Sequence, residues 1–113
     1  MSKKNLEERF IDIFAESIHE TLHDIVGESP AQALLFHLNF PESAKRSDEF
    51  VIKLRGLLRD GSPVVENAMV KRLWSKLGLV PVHMSDSASF VERIRRARQL
   101  FEEKQKKLQA VSR

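Results

Sequence analysis

The sequence predicts an all-α fold, a single compact bundle of about five helices built on a central helical hairpin. Apolar residues recur at intervals of three and four along most of the chain, which places them on one face of successive helices. Glycine and proline interrupt these periodic segments. The 113 residues, 42% hydrophobic and 31% charged, are typical of one soluble globular domain, so we expect residues 1–113 to form one unit.

Two helices are expected in the first third of the chain. The first runs from about Asn5 to Val26, where apolar residues have helical spacing, and Gly27 ends it. The second is short, from Pro30 to about Leu38, with Ser29 in position to cap it. Its residues are mostly apolar, so we expect other elements to cover most of its surface.

The segment from Ser47 to Leu79 is predicted to be a helical hairpin around which the rest of the chain packs. Gly61 is expected to adopt the left-handed conformation that closes the first helix, and Ser62 is expected to cap the second. Gly78 ends the hairpin. The predicted apolar faces are Phe50, Leu54, Leu57 and Leu58 on the first helix, and Val65, Met69, Val70, Leu73, Trp74 and Leu77 on the second.

Two side chains of the second hairpin helix are unusual. Glu66 falls near the middle of the apolar face. As an acid in the first turn it is favoured by the helix dipole, and we expect it either to cap the helix start or to form an ion pair with Arg55 or Arg59. The alternative is a buried acid in a pocket. Trp74 lies at the edge of the same face, which predicts a position at the margin of the core, with a binding anchor as the alternative.

After the hairpin, residues 79–84 are too short and too rich in proline for a helix and predict an extended linker over the core. Caps at 86–89 precede a last helix that begins near Phe90. The residues of this helix that face the core form a seam, and Lys104 occupies one of its positions. We therefore expect the contact of the helix with the core to weaken after Phe101 and the helix to continue beyond the core after about residue 103. The seam positions have heptad spacing: Phe90, Ile94, Ala97, Phe101, Lys104, Leu108 and Val111.

Composition narrows the expected environment and partners. The chain lacks cysteine, which fits a reducing compartment, and we expect a cytoplasmic protein without a signal peptide. No apolar run approaches the roughly 18 residues that span a membrane, so no membrane partner is expected. Residues 1–28 hold three basic and seven acidic side chains, whereas residues 90–113 hold eight and three. This asymmetry predicts that the first and last helices pack as neighbours, within one chain or between two.

The residues from His19 to His23 match the H-E-x-x-H pattern of zinc metalloproteases, in which two histidines bind zinc and the glutamate is the general base. Three features oppose this hypothesis. Asp24 follows the second histidine, no third ligand stands at a familiar spacing, and the helical projection places both histidines on the solvent side. We therefore rank a metallohydrolase third and expect neither a metal nor another cofactor, with His19 and His23 exposed.

The basic last helix makes nucleic-acid binding the second hypothesis. Phosphate contacts require such charges on one surface, but glutamates are interleaved with them here and no exposed aromatic residue is evident for base stacking. The hairpin resembles a helix-turn-helix only in outline, because its second helix begins with apolar and acidic residues. The candidate contacts are Arg93, Arg95, Arg96, Arg98, Lys106 and Lys107.

Over roughly residues 30–105, the chain resembles the Nitrosopumilus-type output domain family, small helical domains of archaeal signalling proteins. The resemblance implies an all-helical module that has no assigned catalytic residues and occurs alone or attached to sensory modules. It transfers no site residues to this chain, and residues 19–23 lie outside it. The positions that carry it are Phe50, Leu54, Leu57-Leu58, Gly61, Val65-Glu66, Val70, Leu73, Leu77-Gly78-Leu79 and Ser89-Phe90-Val91.

The first hypothesis for the function is therefore a non-enzymatic regulatory or protein-interaction module. The partner would be another protein, or a second copy of this chain bound through the last helix, because symmetric dimers are the commonest soluble assemblies.

Overall fold

The computed structural model describes residues 5–80 and 88–111, with side chains as far as Leu108, and all regular elements in this part are helical. The prediction of an all-α fold is confirmed. None of the described helices is long and apolar enough to cross a membrane. The elements are α1 (Leu6–Val26), α2 (Glu28–His37), a 3₁₀ turn (Glu42–Lys45), α3 (Ser47–Leu58), a second 3₁₀ turn (Arg59–Gly61), α4 (Ser62–Lys76) and α5 (Phe90–Val111).

Helix α1 has the predicted length and ends where the sequence predicts. The Asn5 side chain accepts a hydrogen bond from the Glu8 backbone N–H at 2.8 Å, which satisfies one donor of the first turn. Gly27 has φ +87°, a value that glycine adopts without steric cost. The chain enters α2 directly, at Glu28, so the prediction that Ser29 caps this helix is wrong by two positions.

The prediction that α2 is covered on most sides is also wrong. Within the helix only Ala31 and Leu35 are buried, and Leu38 follows as a buried residue at its end. Phe36 is 82% exposed. A ten-residue helix that contacts the bundle along one face leaves apolar side chains on its other faces exposed, and here only Leu34 among them is half-buried.

The turn between α3 and α4 differs from the predicted one. Arg59 takes the positive φ of +49°, whereas Gly61 has an ordinary φ of −79°. Ser62 is the first residue of α4, and its hydroxyl donates to Glu66 rather than capping the backbone. In this turn the positive φ therefore falls on an arginine, whereas the glycine has a conformation that any residue can adopt.

Helix α4 packs more extensively on α1 than on α3, so the prediction that the chain is organised around the α3–α4 hairpin is not confirmed. Ile18 and Leu22 of α1, and Leu73 and Trp74 of α4, are completely buried. Trp74 therefore belongs to the centre of the core, and its predicted position at the margin is wrong. Helical periodicity identifies an apolar face but not the helix that covers it.

Phenylalanine rings join α1, α3 and α5 in the core. Phe14, Phe50 and Phe90 contact each other with ring centroids 6.0–6.3 Å apart, and Phe10 contacts Phe101 at 6.2 Å. These separations lie in the range of favourable aromatic pairs.

The inner face of α5 is buried from Phe90 to Phe101, at the four predicted seam positions. Beyond Phe101 every described side chain is half-buried or exposed, and Leu108 is 54% exposed. The Lys104 ammonium donates to the Gly78 carbonyl at 3.3 Å, just beyond the end of α4, where the helix dipole favours a positive charge.

Residues 81–84 of the predicted linker and residues 86 and 87 of the predicted caps lie outside the described residues. Ser89 is described, and its hydroxyl accepts a hydrogen bond from the Glu92 N–H at 3.1 Å. This bond satisfies a backbone donor in the first turn of α5.

We expect Leu73→Ala to lower the free energy of unfolding by about 2–5 kcal/mol, because it removes buried methyl groups and leaves a cavity. Leu54→Ala has the same expected range. Urea denaturation measures both, and Ile52→Ala is the control, since Ile52 is 68% exposed. A loss below about 1 kcal/mol at Leu73 would mean that its helical face is assigned incorrectly.

Candidate functional site

The two histidines of the H-E-x-x-H string lie together on α1, but not as an open ligand pair. Their rings stack with centroids 4.2 Å apart, and His19 also contacts the ring of Phe40 at 6.5 Å. His19 is exposed as predicted; His23 is half-buried, so its predicted exposure is wrong. Within the part of the chain that the structure describes, no group of three potential metal ligands exists.

The glutamate of this string is occupied by ion pairs to α4. Glu20 accepts from Arg72 at 3.1 Å and from Lys76 at 3.0 Å. The Lys76 hydrogen bond lowers the pKa of Glu20 most strongly; partial burial opposes the shift, and Arg72 adds to it. A carboxylate with a lowered pKa is a weaker general base, so the geometry favours a structural role for Glu20.

The acidic side of α1 pairs mainly with α4. Helices α1 and α5 nevertheless pack as neighbours, as the charge asymmetry predicts, with Phe10 against Phe101 and Phe14 against Phe90. Lys76 also contacts Glu16 at 2.7 Å, and Arg72 contacts Asp24. Between α1 and α5, the described ion pair is Arg98 to Glu7 at 3.2 Å. The two basic residues of α4, Arg72 and Lys76, are functional side chains not predicted from the sequence, although their four-residue spacing matches that of the acids on α1.

The six basic candidates of α5 do not form one surface. Arg98 pairs with Glu7 and with Glu102, and Arg93 is half-buried at the start of the helix. The remaining four, Arg95, Arg96, Lys106 and Lys107, are exposed.

Glu66 is buried, and it is paired as predicted. Arg55 binds it with two hydrogen bonds, Nε to Oε2 at 3.1 Å and Nη2 to Oε1 at 3.0 Å, while the Ser62 hydroxyl donates to Oε2 at 2.5 Å. The Glu66 side chain is 5% exposed and that of Arg55 is 54% exposed. This bidentate arrangement is the strong form of a carboxylate–arginine contact.

The net effect of this environment is a lowered pKa at Glu66. Burial alone would raise the pKa, but the hydrogen bonds from Arg55 and Ser62 outweigh it, and the charges of Arg55 and Arg93 act in the same direction. The ionised carboxylate is therefore the form that the fold stabilises.

A pocket of about 360 Å³ opens beside Glu66, between the end of α3 and the starts of α4 and α5. From the sequence, Glu66 is expected beside Arg55 of α3 or Arg59 of the turn that follows α3, but nothing in the sequence associates Arg93 with them. The fold places these arginines together through a contact distant in sequence, for which helical periodicity gives no signal. The pocket is lined by Arg55, Arg59, Ser62, Pro63, Glu66, Asn67, Ala88, Ser89, Phe90 and Arg93.

No family model, curated protein or solved structure matches this chain. The resemblance to the Nitrosopumilus-type output domain family therefore stays a prediction.

Glu66→Gln is expected to keep the fold and to lower the free energy of unfolding by about 1–3 kcal/mol at neutral pH, because it removes the acceptor of charge-assisted hydrogen bonds. The pKa of Glu66 is below its ordinary value of 4.5 in the folded state. The contribution of Glu66 is therefore fully present above pH 4.5 and is lost as the pH falls through the folded-state pKa.

Urea denaturation at several pH values measures this dependence, and the difference between wild type and Glu66→Gln should shrink below pH 4.5. Glu66→Leu is the companion variant. The buried leucine side chain alone would stabilise the fold, but we expect Glu66→Leu to lower the free energy of unfolding, because Ser62 loses its acceptor. A constant difference across the whole pH range would contradict a stabilised carboxylate.

We expect the purified, untagged protein to contain no stoichiometric zinc, because no third ligand among the described residues accompanies His19 and His23. Elemental analysis after exposure to zinc measures this. One zinc per chain that disappears in His23→Ala would establish a metal site there.

Proposed function

We propose that the protein is a non-enzymatic regulatory or protein-interaction module whose last helix binds a second copy of the same chain. The observation that carries the proposal is the charge pattern on the solvent side of α5. Its inner face is used by the core as far as Phe101, so the opposite face is available to a partner.

We call this opposite side the outer face of α5. At 100° per residue its members form one stripe diametrically opposite the buried seam. All are exposed, and their charges alternate in sign along the helix. The outer face consists of Glu92, Arg95, Arg96, Gln99, Glu103 and Lys106.

This stripe is complementary to itself when two copies lie antiparallel. A two-fold axis at Gln99 would place Arg95 opposite Glu103 of the other copy, and Glu92 opposite Lys106. Arg96 would face Glu102, which is half-buried and already pairs with Arg98. Symmetry makes each pairing occur twice, and opposite charges at a helix interface set partner and orientation.

Such an interface is polar, so the dimer should be weak and sensitive to salt. Each exposed ion pair contributes about 0.2–1 kcal/mol, and salt screens it. A weak, adjustable association suits a regulatory module better than a permanent assembly.

The competing hypothesis, nucleic-acid binding through α5, is less well supported by this arrangement. Glu102 and Glu103 stand between the pair Arg95-Arg96 and the pair Lys106-Lys107, and they interrupt the positive surface that a phosphate backbone needs.

The regulatory role is of the kind that the resemblance to archaeal signalling domains implies, and it remains part of the proposal. A cytoplasmic location belongs to the same proposal, because a chain without cysteine needs no oxidising compartment.

The charge pattern permits a charge-swap test of the dimer. Arg95→Glu and Glu103→Lys should each weaken self-association, because each places like charges opposite one another. The double variant should restore it, since the opposed charges are exchanged but remain complementary. Sedimentation equilibrium over a range of protein concentrations at low and high salt measures this, and Lys71→Glu on the exposed side of α4 is the control.

A monomer at all concentrations, or a double variant that stays monomeric, would contradict the proposal. Labelled duplex DNA at low salt tests the competing hypothesis in the same variants. Loss of duplex binding in Arg95→Glu without rescue in the double variant would favour nucleic acid. Truncation after Phe101 should weaken self-association and leave most of the helicity, because it removes Glu103 and Lys106 but none of the buried seam.

A further inference from the structure

The pocket beside Glu66 carries an excess of positive charge. Three guanidinium groups and one carboxylate line it, and the carboxylate is already paired with Arg55. Among the described residues, neither Arg59 nor Arg93 forms an ion pair with a carboxylate, so the lining holds two more positive charges than negative ones. The Nε atom of Arg93 is moreover buried without an acceptor in the described part of the chain. A buried donor of this kind is costly unless something binds it.

The start of α5 contributes further donors to the same wall. Ser89 and Phe90 line the pocket, and the Ser89 hydroxyl already satisfies the N–H of Glu92. The N–H groups of the first turn have no partner inside their own helix, and the helix dipole adds positive potential there. These features add to the positive potential that the three arginines create in the pocket.

The backbone at Arg59 is a second, independent sign of a site. Its φ of +49° with ψ −119° is a region that a side chain disfavours and glycine tolerates. Gly61 stands two residues later in an ordinary conformation, so the turn holds a glycine where none is needed. Strain of this kind concentrates at ligand sites, and here it falls on an arginine that lines the pocket.

We propose that this pocket binds the phosphate group of a small phosphate monoester. A monoester phosphate carries between about −1.5 and −2 charges at neutral pH, which matches the excess of two positive charges in the lining. Arginine forks bind phosphate oxygens in pairs. A single carboxylate would neutralise only one of the two charges.

The size of the pocket indicates an ester rather than free phosphate. Its volume of about 360 Å³ lies near the lower end of the range for small-molecule sites, about 300–1,000 Å³. Pro63 and Ala88 supply apolar surface beside the arginines, where the organic part of the ligand would lie. Asn67 adds a side chain that can both donate and accept hydrogen bonds.

Isothermal titration of the full chain with glycerol 3-phosphate, inorganic phosphate and acetate tests the proposal. Glycerol 3-phosphate should bind most tightly and should raise the melting temperature by mass action. Arg59→Gln and Arg93→Gln should each weaken its binding by at least about tenfold, the loss expected for one charge-assisted hydrogen bond. Arg9→Gln, on the exposed surface of α1 and outside the pocket, should leave binding unchanged.

Arg59→Gly separates a ligand role from a structural one. It removes the guanidinium but suits the backbone geometry, so the melting temperature without ligand should hold or rise while the affinity falls by about tenfold or more. Retained affinity in this variant, or in Arg93→Gln with a native melting temperature, would overturn the proposal.

The other two ligands define further results that would overturn it. Equal binding of inorganic phosphate and glycerol 3-phosphate would assign the pocket to free phosphate, and tighter binding of acetate would assign it to a carboxylate. These outcomes leave the dimer test unaffected, because the outer face of α5 and the pocket share no residue.

Discussion

The packing of α1 on α4 is the contact on which the rest of this bundle depends. It joins segments far apart in the chain: Lys76 and Glu16, which pair across it, are 60 residues apart. Closing so long a loop costs conformational entropy, and the burial of Ile18, Leu22, Leu73 and Trp74 offsets that cost. Helices α2 and α3 lie between these segments in the chain, so the closure of α1 on α4 restricts where they can pack.

The charged groups of the protein fall into two physical classes. The α1–α4 pairs lie at the surface and are partly exposed to solvent, so they orient the two helices but add little to stability. Glu66 is different, because a buried carboxylate is tolerated only when donors surround it. Because Glu66 must bind both Arg55 and Ser62, the end of α3 lies against the start of α4. These two helix ends also form one wall of the arginine-lined pocket.

Helix α5 has one face that packs in the core and an opposite face that is exposed to solvent. Its inner face is buried in the core between Phe90 and Phe101, whereas its outer face carries charges of alternating sign. The basic composition of this helix first suggests a nucleic-acid surface. Arg98 is engaged with Glu7 and Glu102, and Arg93 belongs to the pocket, so the charges that remain favour recognition of a patterned protein surface over a phosphate backbone.

Local chemistry in the sequence was sufficient to predict the helical class, the length of α1 and the buried seam of α5. These properties depend on periodicity and on residues such as Gly27 and Gly78, whose effects act within a turn or two of the chain. An ion pair of Glu66 with Arg55 or Arg59 could be predicted for a similar reason, because a hairpin brings the end of one helix to the start of the next.

Only the tertiary structure decided which helix covers which face. The dominance of the α1–α4 contact, the complete burial of Trp74, the exposure of Phe36 and the arrival of Arg93 beside Glu66 all depend on contacts between distant segments. An apolar stripe has the same spacing whichever neighbour buries it, so the sequence determined the faces and the packing of the whole chain assigned their partners.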